Sequence, residues 1–225
     1  FDGVDAAEMG HPADHDLPSI HAIAIHELHV AYTGVAAHAA AAPEKGRNAL
    51  DAAVLGYVNV AALRQHIRPD ERVHGIFTHA GDKPNIVPRS AAAEWYVRST
   101  DLTSLESLKA RVLDCLRAGA LAAGVTMEHA WRDPAYADLV DDPWLLERWT
   151  VHSTALGRPP QDPDVVGAVV GSTDMGNVSH EVPSIHPMIA VAPPGVSIHT
   201  PEFARHAGGP AGDRAPMGRG KAPAA

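Results

Sequence analysis

The stretch "SAAAEWYVRSTDLTSLESLKARVLDCLRAGALAAG", residues 90–124, changes its hydrophobic period partway along. At its start Trp95 and Val97 alternate with Glu94, Tyr96 and Arg98, the two-residue repeat of a strand with one buried face. From Thr103 onward Leu105, Leu108, Val112 and Leu116 recur on one helical face. Thr103 and Glu106 form an S/T-x-x-E capping box and Gly124 marks the stop. A strand therefore runs into a capped helix. Upstream, "RVHGIFTHAG" (72–81) reads as a second strand, and the link "DKPNIVPR" (82–89) carries two prolines and Asn85, which forbid a helix. The two strands are expected to pair antiparallel.

Further upstream, Asn48 and Asp51 resemble a cap. Leu50, Val54, Tyr57 and Ala61 then follow at helical spacing until Pro69 ends the run. Ile23 to Tyr32 alternates as a strand, but the apolar parity changes near His26 and Glu27. That change reads as a strand leaving one sheet for another. "VTMEHAW" (125–131) supplies the last strand. The order strand, helix, strand, strand, helix, strand is the ferredoxin-like βαββαβ arrangement. It predicts a compact lid over residues 26–133. Residues 1–25 and 134–207, with a helix in "PWLLERWTVHSTALG", a buried strand entering a glycine-rich loop in "VVGAVVGSTDMGNVS" and a strand in "PMIAVAPP", read as pieces of a second α/β domain that the lid interrupts. Residues 208–225 are Gly, Pro and Ala with scattered charge, and disorder is expected there.

Of 225 residues, 45% are hydrophobic and 20% charged, the balance of a globular chain able to bury a core. A net charge of -9 with no Lys/Arg cluster argues against nucleic acid and anionic membrane as partners. No apolar run is long enough to span a bilayer. Cys115 is the only cysteine, which excludes an internal disulfide and paired-cysteine zinc patterns and fits a cytoplasmic location. The opening "FDGVDAAEMG" has no initiator methionine and no signal-peptide pattern, so the chain reads as entered in its middle. Fifteen histidines are the strongest compositional anomaly, because neutral imidazole is both a common ligand and a common base.

Four blocks, "GVAAHAAAAPEKGRNALDAA", "KPNIVPRSAAAEWYVRS", "GSTDMGNVSHEVPSIHP" and "HTPEF", in this order resemble the zinc-dependent metallopeptidase and amidohydrolase family of aminoacylase, the glutamate carboxypeptidases and p-aminobenzoyl-glutamate hydrolase. The wording is most similar to the p-aminobenzoyl-glutamate hydrolase branch. The resemblance implies a partial zinc-peptidase α/β catalytic domain interrupted by the ferredoxin-like dimerisation lid, with the earlier part of the catalytic domain missing. It implies two zinc ions in the complete site, with manganese or cobalt as substitutes. The implied partners are a small amide or dipeptide substrate and a second copy bound through the lid.

Matched residue by residue, His11 and His199 correspond to zinc ligands. His38 corresponds to the lid histidine that steadies the oxyanion in a partner's active site, with Gly46 permitting the turn that follows. Arg98 corresponds to the arginine that grips a substrate carboxylate, Asn85 to a lid asparagine near the substrate, and Asp174 to structural support of the site. Family hydrolysis also requires a Glu-Glu pair that includes the general base, and this sequence holds none. The function implied is hydrolysis of the amide bond of an N-acyl amino acid, an aminobenzoyl-glutamate-like compound or a dipeptide, with the isolated chain inactive. The alternative is a non-catalytic dimerisation module.

Overall fold

The computed structural model describes residues 1–166, 170–210 and 212–213. It divides the chain into two units, one of residues 24–136 and one formed by residues 1–23 with 137–225.

The first unit is built on strands β1 (Ala24–Thr33), β2 (Arg72–His79), β3 (Ser90–Ser99) and β4 (Thr126–Trp131), with helices α1 (Ala49–Arg64) and α2 (Leu102–Ala123). All pairings are antiparallel and the spatial order is β2-β3-β1-β4, the ferredoxin-like topology. Both helices pack on one sheet face, over a core that includes Leu28, Tyr32, Trp95, Val97, Leu105, Leu108 and Leu116. The other face carries Ile25, Glu27 and His29 of β1 beside Arg98, Tyr96 and Glu94 of β3 and Arg72, His74 and Ile76 of β2.

Three sequence expectations shift here. β1 does not change face at His26, because Ala24, His26, Leu28, Val30 and Tyr32 are all buried on the helix side. The crossing between units falls at Ile23 and Ala24 instead. The cap of α2 is Asp101, whose Oδ1 accepts the Ser104 amide at 2.7 Å while Ser104 Oγ accepts the Asp101 amide at 3.3 Å. Asp101 thus takes the place expected for Thr103, and Gly124 ends the helix at φ 66, in the left-handed region that favours glycine. Helix α1 begins at Asn48 as expected, with Asn48 Oδ1 accepting from Leu50 and Asp51. Its buried face, however, is Ala49, Ala52, Ala53, Gly56 and Val60, and Val54, Leu55 and Val58 are exposed. The helices approach so closely that a Cβ on Gly119 would lie 2.4 Å from the Ala52 carbonyl oxygen.

In the second unit three short parallel pairings join distant segments: Ala7–Glu8 with Ser184–Ile185, His11–Ala13 with Met188–Ala190, and His21–Ala22 with Val170–Gly171. Arg158 braces the second of these by a two-point contact to Asp16 (2.6 and 3.2 Å), and Asp16 also accepts the Ala190 amide at 2.9 Å. Helix Pro143–Ala155 is capped by Asp142 and helix Pro201–Ala207 by Thr200. Residues 175–179, read as loop, form a short helix. Of the tail expected to be disordered, residues 211 and 214–225 lie outside the described residues.

Candidate functional site

In the 24–136 unit, the loop after β1 returns against the link between β2 and β3. Val87 donates its amide to the Ala37 carbonyl at 2.9 Å, and Ala39 donates to the Asn85 carbonyl at 3.0 Å, so His38 and Asn85 lie on paired backbone. The His38 ring is exposed, and its Nδ1 accepts backbone amides from Ala40 and Ala41 at 3.3 and 3.1 Å. Gly46 has φ -87 and ψ 164, an extended conformation open to any residue, so the turn does not need it. What needs glycine is contact, since a Cβ there would sit 2.9 Å from Val87 Cγ1.

Arg98 lies on the sheet face away from the helices, flanked in register by Ile25 and Arg72. Its guanidinium is 6.0 Å from the Tyr96 ring. Burial pulls the Arg98 pKa below its ordinary value and Tyr96 opposes this, yet guanidinium stays charged in any protein setting. His74 meets Tyr96 edge-on at 5.7 Å, and burial, Arg98 and Arg64 all push its pKa down. Beside them Glu27 bonds His29 at 2.6 Å and faces Arg132 at 3.6 Å. The face thus presents a fixed cation among aromatic and acidic groups, an arrangement able to orient a carboxylate-bearing ligand.

In the other unit, His11 stands on the strand beside Met188–Ala190, its amide bonded to the Pro187 carbonyl at 2.8 Å. Its Nδ1 lies 2.7 Å from the Pro12 carbonyl, which can only accept, so Nδ1 carries the proton and Nε2 keeps its lone pair. That is the state in which an imidazole binds a metal. His186 is fully buried, with its ring 5.9 Å from that of His11. Its amide bonds Asp141, whose carboxyl burial pushes above the usual range while this bond and one from Ser19 oppose the shift. Sequence reasoning passed over His186, although His11-Pro12 and His186-Pro187 are the same dipeptide, one opening a strand and the other leading into the strand paired with it.

His199 is exposed and has φ 63, left-handed for a residue with a side chain. Asp174 is exposed at the N-cap of the 175–179 helix and makes no side-chain cap bond. The loop is held instead by Asn177 and Ser179, which accept the amides of Ala137 and Val140 at 3.0 Å each. Among the described residues no group of three or more His, Cys, Asp and Glu side chains could hold a metal ion. His11 fits a ligand's chemistry, but the donors gathered here do not make up a zinc site. No helix among the described residues is long and apolar enough to cross a membrane.

A family model described as the peptidase dimerisation domain matches residues 24–123. The chain is 38% identical over 209 residues to the Xaa-Arg dipeptidase of Mus musculus, which covers 92% of this chain and 48% of that protein. It is 34% identical over 130 residues to one of the polypeptides of the p-aminobenzoyl-glutamate hydrolase of Escherichia coli, covering 57% of this chain and 27% of that one. Among solved structures, an aminobenzoyl-glutamate utilization protein from Klebsiella pneumoniae matches with a TM-score of 0.66 at 22% identity, over 83% of this chain and 50% of the other. That likeness speaks for the fold alone. The chain spans about half the length of the curated relatives it matches.

Proposed function

We propose, from the premise that this chain belongs to the M20 peptidase family, that it serves a metal-dependent hydrolase cleaving the amide bond of a dipeptide, an N-acyl amino acid or an aminobenzoyl-glutamate-like compound. The observation that carries this reading is the match to the mouse Xaa-Arg dipeptidase, whose 209 residues exceed what the 24–136 lid can supply. The lid and the unit bearing His11 and His199 therefore share in it.

In this reading Arg98 forks onto the substrate carboxylate, and Asn85 lies close by. His38 donates a hydrogen bond to the oxygen on which charge develops. A divalent ion, zinc by preference with manganese or cobalt as substitutes, would supply Lewis-acid chemistry at the scissile carbonyl. His11 and His199 are the donors this chain offers it. With those two alone and no Glu-Glu pair, the isolated chain is inactive. A second copy of the chain docks on the lid, at the apolar face of α1 and the open edge of β2. A cytoplasmic setting suits the single cysteine.

The test joins this chain to the part of the mouse dipeptidase that its match leaves uncovered. The hybrid is expected to release arginine from an Xaa-Arg dipeptide and to lose that activity in Arg98→Ala. A folded, zinc-loaded hybrid without turnover on dipeptide, acyl-amino acid or p-aminobenzoyl-glutamate would overturn the hydrolase reading. It would leave the second reading, a dimerisation module, which the self-contained core of residues 24–136 favours. Turnover by the isolated chain would overturn its inactivity.

A further inference from the structure

The loop histidine is bonded in a way that decides where its proton sits. Three successive amides converge on His38: Ala40 and Ala41 donate to Nδ1 at 3.3 and 3.1 Å, and Ala42 donates to its carbonyl oxygen at 3.1 Å. On either side Ala37 and Ala39 are pinned to Val87 and Asn85, so the backbone that carries the ring is held from both directions. A backbone amide can only donate, so Nδ1 must present its lone pair. A neutral imidazole has one ring proton, which is left to Nε2.

We propose that the Ala40 and Ala41 amides lock His38 as the Nε2–H tautomer, making Nε2 an obligate hydrogen-bond donor toward an electron-rich oxygen. Ala40 and Ala41 are thereby positioning residues that act through backbone N–H groups, which gives the alanine run a role that side-chain chemistry could not reveal. His11 shows the converse, since the Pro12 carbonyl draws the proton to Nδ1 and leaves Nε2 bare. One chain sets two histidines in opposite tautomers, one as donor and one as acceptor, each through local backbone. The use of the His38 donor at an oxyanion rests on the hydrolase reading above. The tautomer itself does not.

Two-bond proton–nitrogen spectra of the ¹⁵N-labelled chain, recorded above the ordinary titration range of histidine, test the lock. The His38 signals are identified by their loss in His38→Gln. We expect Nδ1 in the range of a bare nitrogen and Nε2 in that of a protonated one. The reversed pattern, or two averaged shifts, would overturn the proposal. Ala41→Pro deletes the closer donor and should move the His38 shifts toward the average while leaving the other histidines in place. A folded Ala41→Pro chain with an unmoved His38 would remove Ala41 from the lock, and the wild-type spectrum decides if the variant does not fold. In the hybrid enzyme, His38→Gln, which keeps an N–H donor, should retain at least 10-fold more turnover than His38→Ala. Equal losses would end the oxyanion role and leave the tautomer standing.

Discussion

His26 lies buried on the helix side of β1, its ring 4.9 Å from Trp131, and the Lys109 ammonium stands 4.5 Å from that same indole. Burial first, and then the Lys109 charge, hold its pKa below the usual 6.5, against the opposing pull of Asp133 at 3.5 Å and of Glu106. A folded pKa below the unfolded one means that the unfolded chain binds the proton more readily. The contribution is thus intact above about pH 6.5 and is lost as pH falls through the folded value. We predict that the wild-type melting temperature declines on acidification from about pH 8 to pH 5, and that His26→Leu removes part of that decline. Parallel pH curves for the two proteins would refute the assignment. At His199, φ 63 costs a residue with a Cβ roughly 1 kcal/mol. His199→Gly, unfolded by urea in the presence of chelator, is expected to be more stable by about that amount. A loss of stability would mean that the imidazole itself holds the loop.

Helices α1 and α2 cross through glycine, and that contact sets which face of α1 is inside. A Cβ on Gly119 would meet backbone, 2.4 Å from Ala52 O and 2.6 Å from Gly56 N, whereas one on Gly56 would meet side chains, 2.9 Å from Tyr32 Oη and 3.2 Å from Leu116 Cδ2. Backbone cannot swing aside, so Gly119→Ala must push the helices apart. We predict a loss of about 2 kcal/mol or more for Gly119→Ala and a smaller one for Gly56→Ala, measured by urea unfolding. The opposite ranking would show that the helices part more readily at Gly119 than at Gly56. The same contact explains a limit of sequence reading. Leu50, Val54, Tyr57 and Ala61 make a plausible inward stripe, but Ala52, Ala53, Gly56 and Val60 make another, and only the partner helix chooses between them. α2 has one apolar stripe, and Leu105, Leu108, Val112 and Leu116 are buried as its spacing predicts. Its cap differs from the expected one because two overlapping signals begin at Asp101 and Thr103.

At the scale of the molecule, the lid was legible because its strands and helices follow one another along residues 24–136 with clear period changes. The other unit was not, since its strands are two or three residues long and pair across segments more than a hundred residues apart. The same difference governs the site. Pairing of the loop at Asn85 with that at His38 needed the backbone contacts of Ala37 and Ala39, and the approach of His186 to His11 needed a parallel register no local pattern encodes. What the lid leaves outside is equally informative. Among the described residues, Val58 is 56% exposed on α1 and Ile76 64% exposed on β2, a strand with one unpaired edge. Phe77 of β2 lies 5.8 Å from Tyr57 of α1, so helix face and strand edge adjoin. An open edge beside an apolar helix face is what a second copy can cover about a two-fold axis. We therefore predict that the chain sediments as a dimer and that Val58→Glu, which places a charge on the apolar face, shifts it toward monomer with the helical content unchanged. A second variant, Ile76→Lys on the strand, should act in the same direction by guarding the edge. A wild-type chain that stays monomeric at high micromolar concentration would remove the second copy from the lid, and a dimer indifferent to both substitutions would place the interface elsewhere.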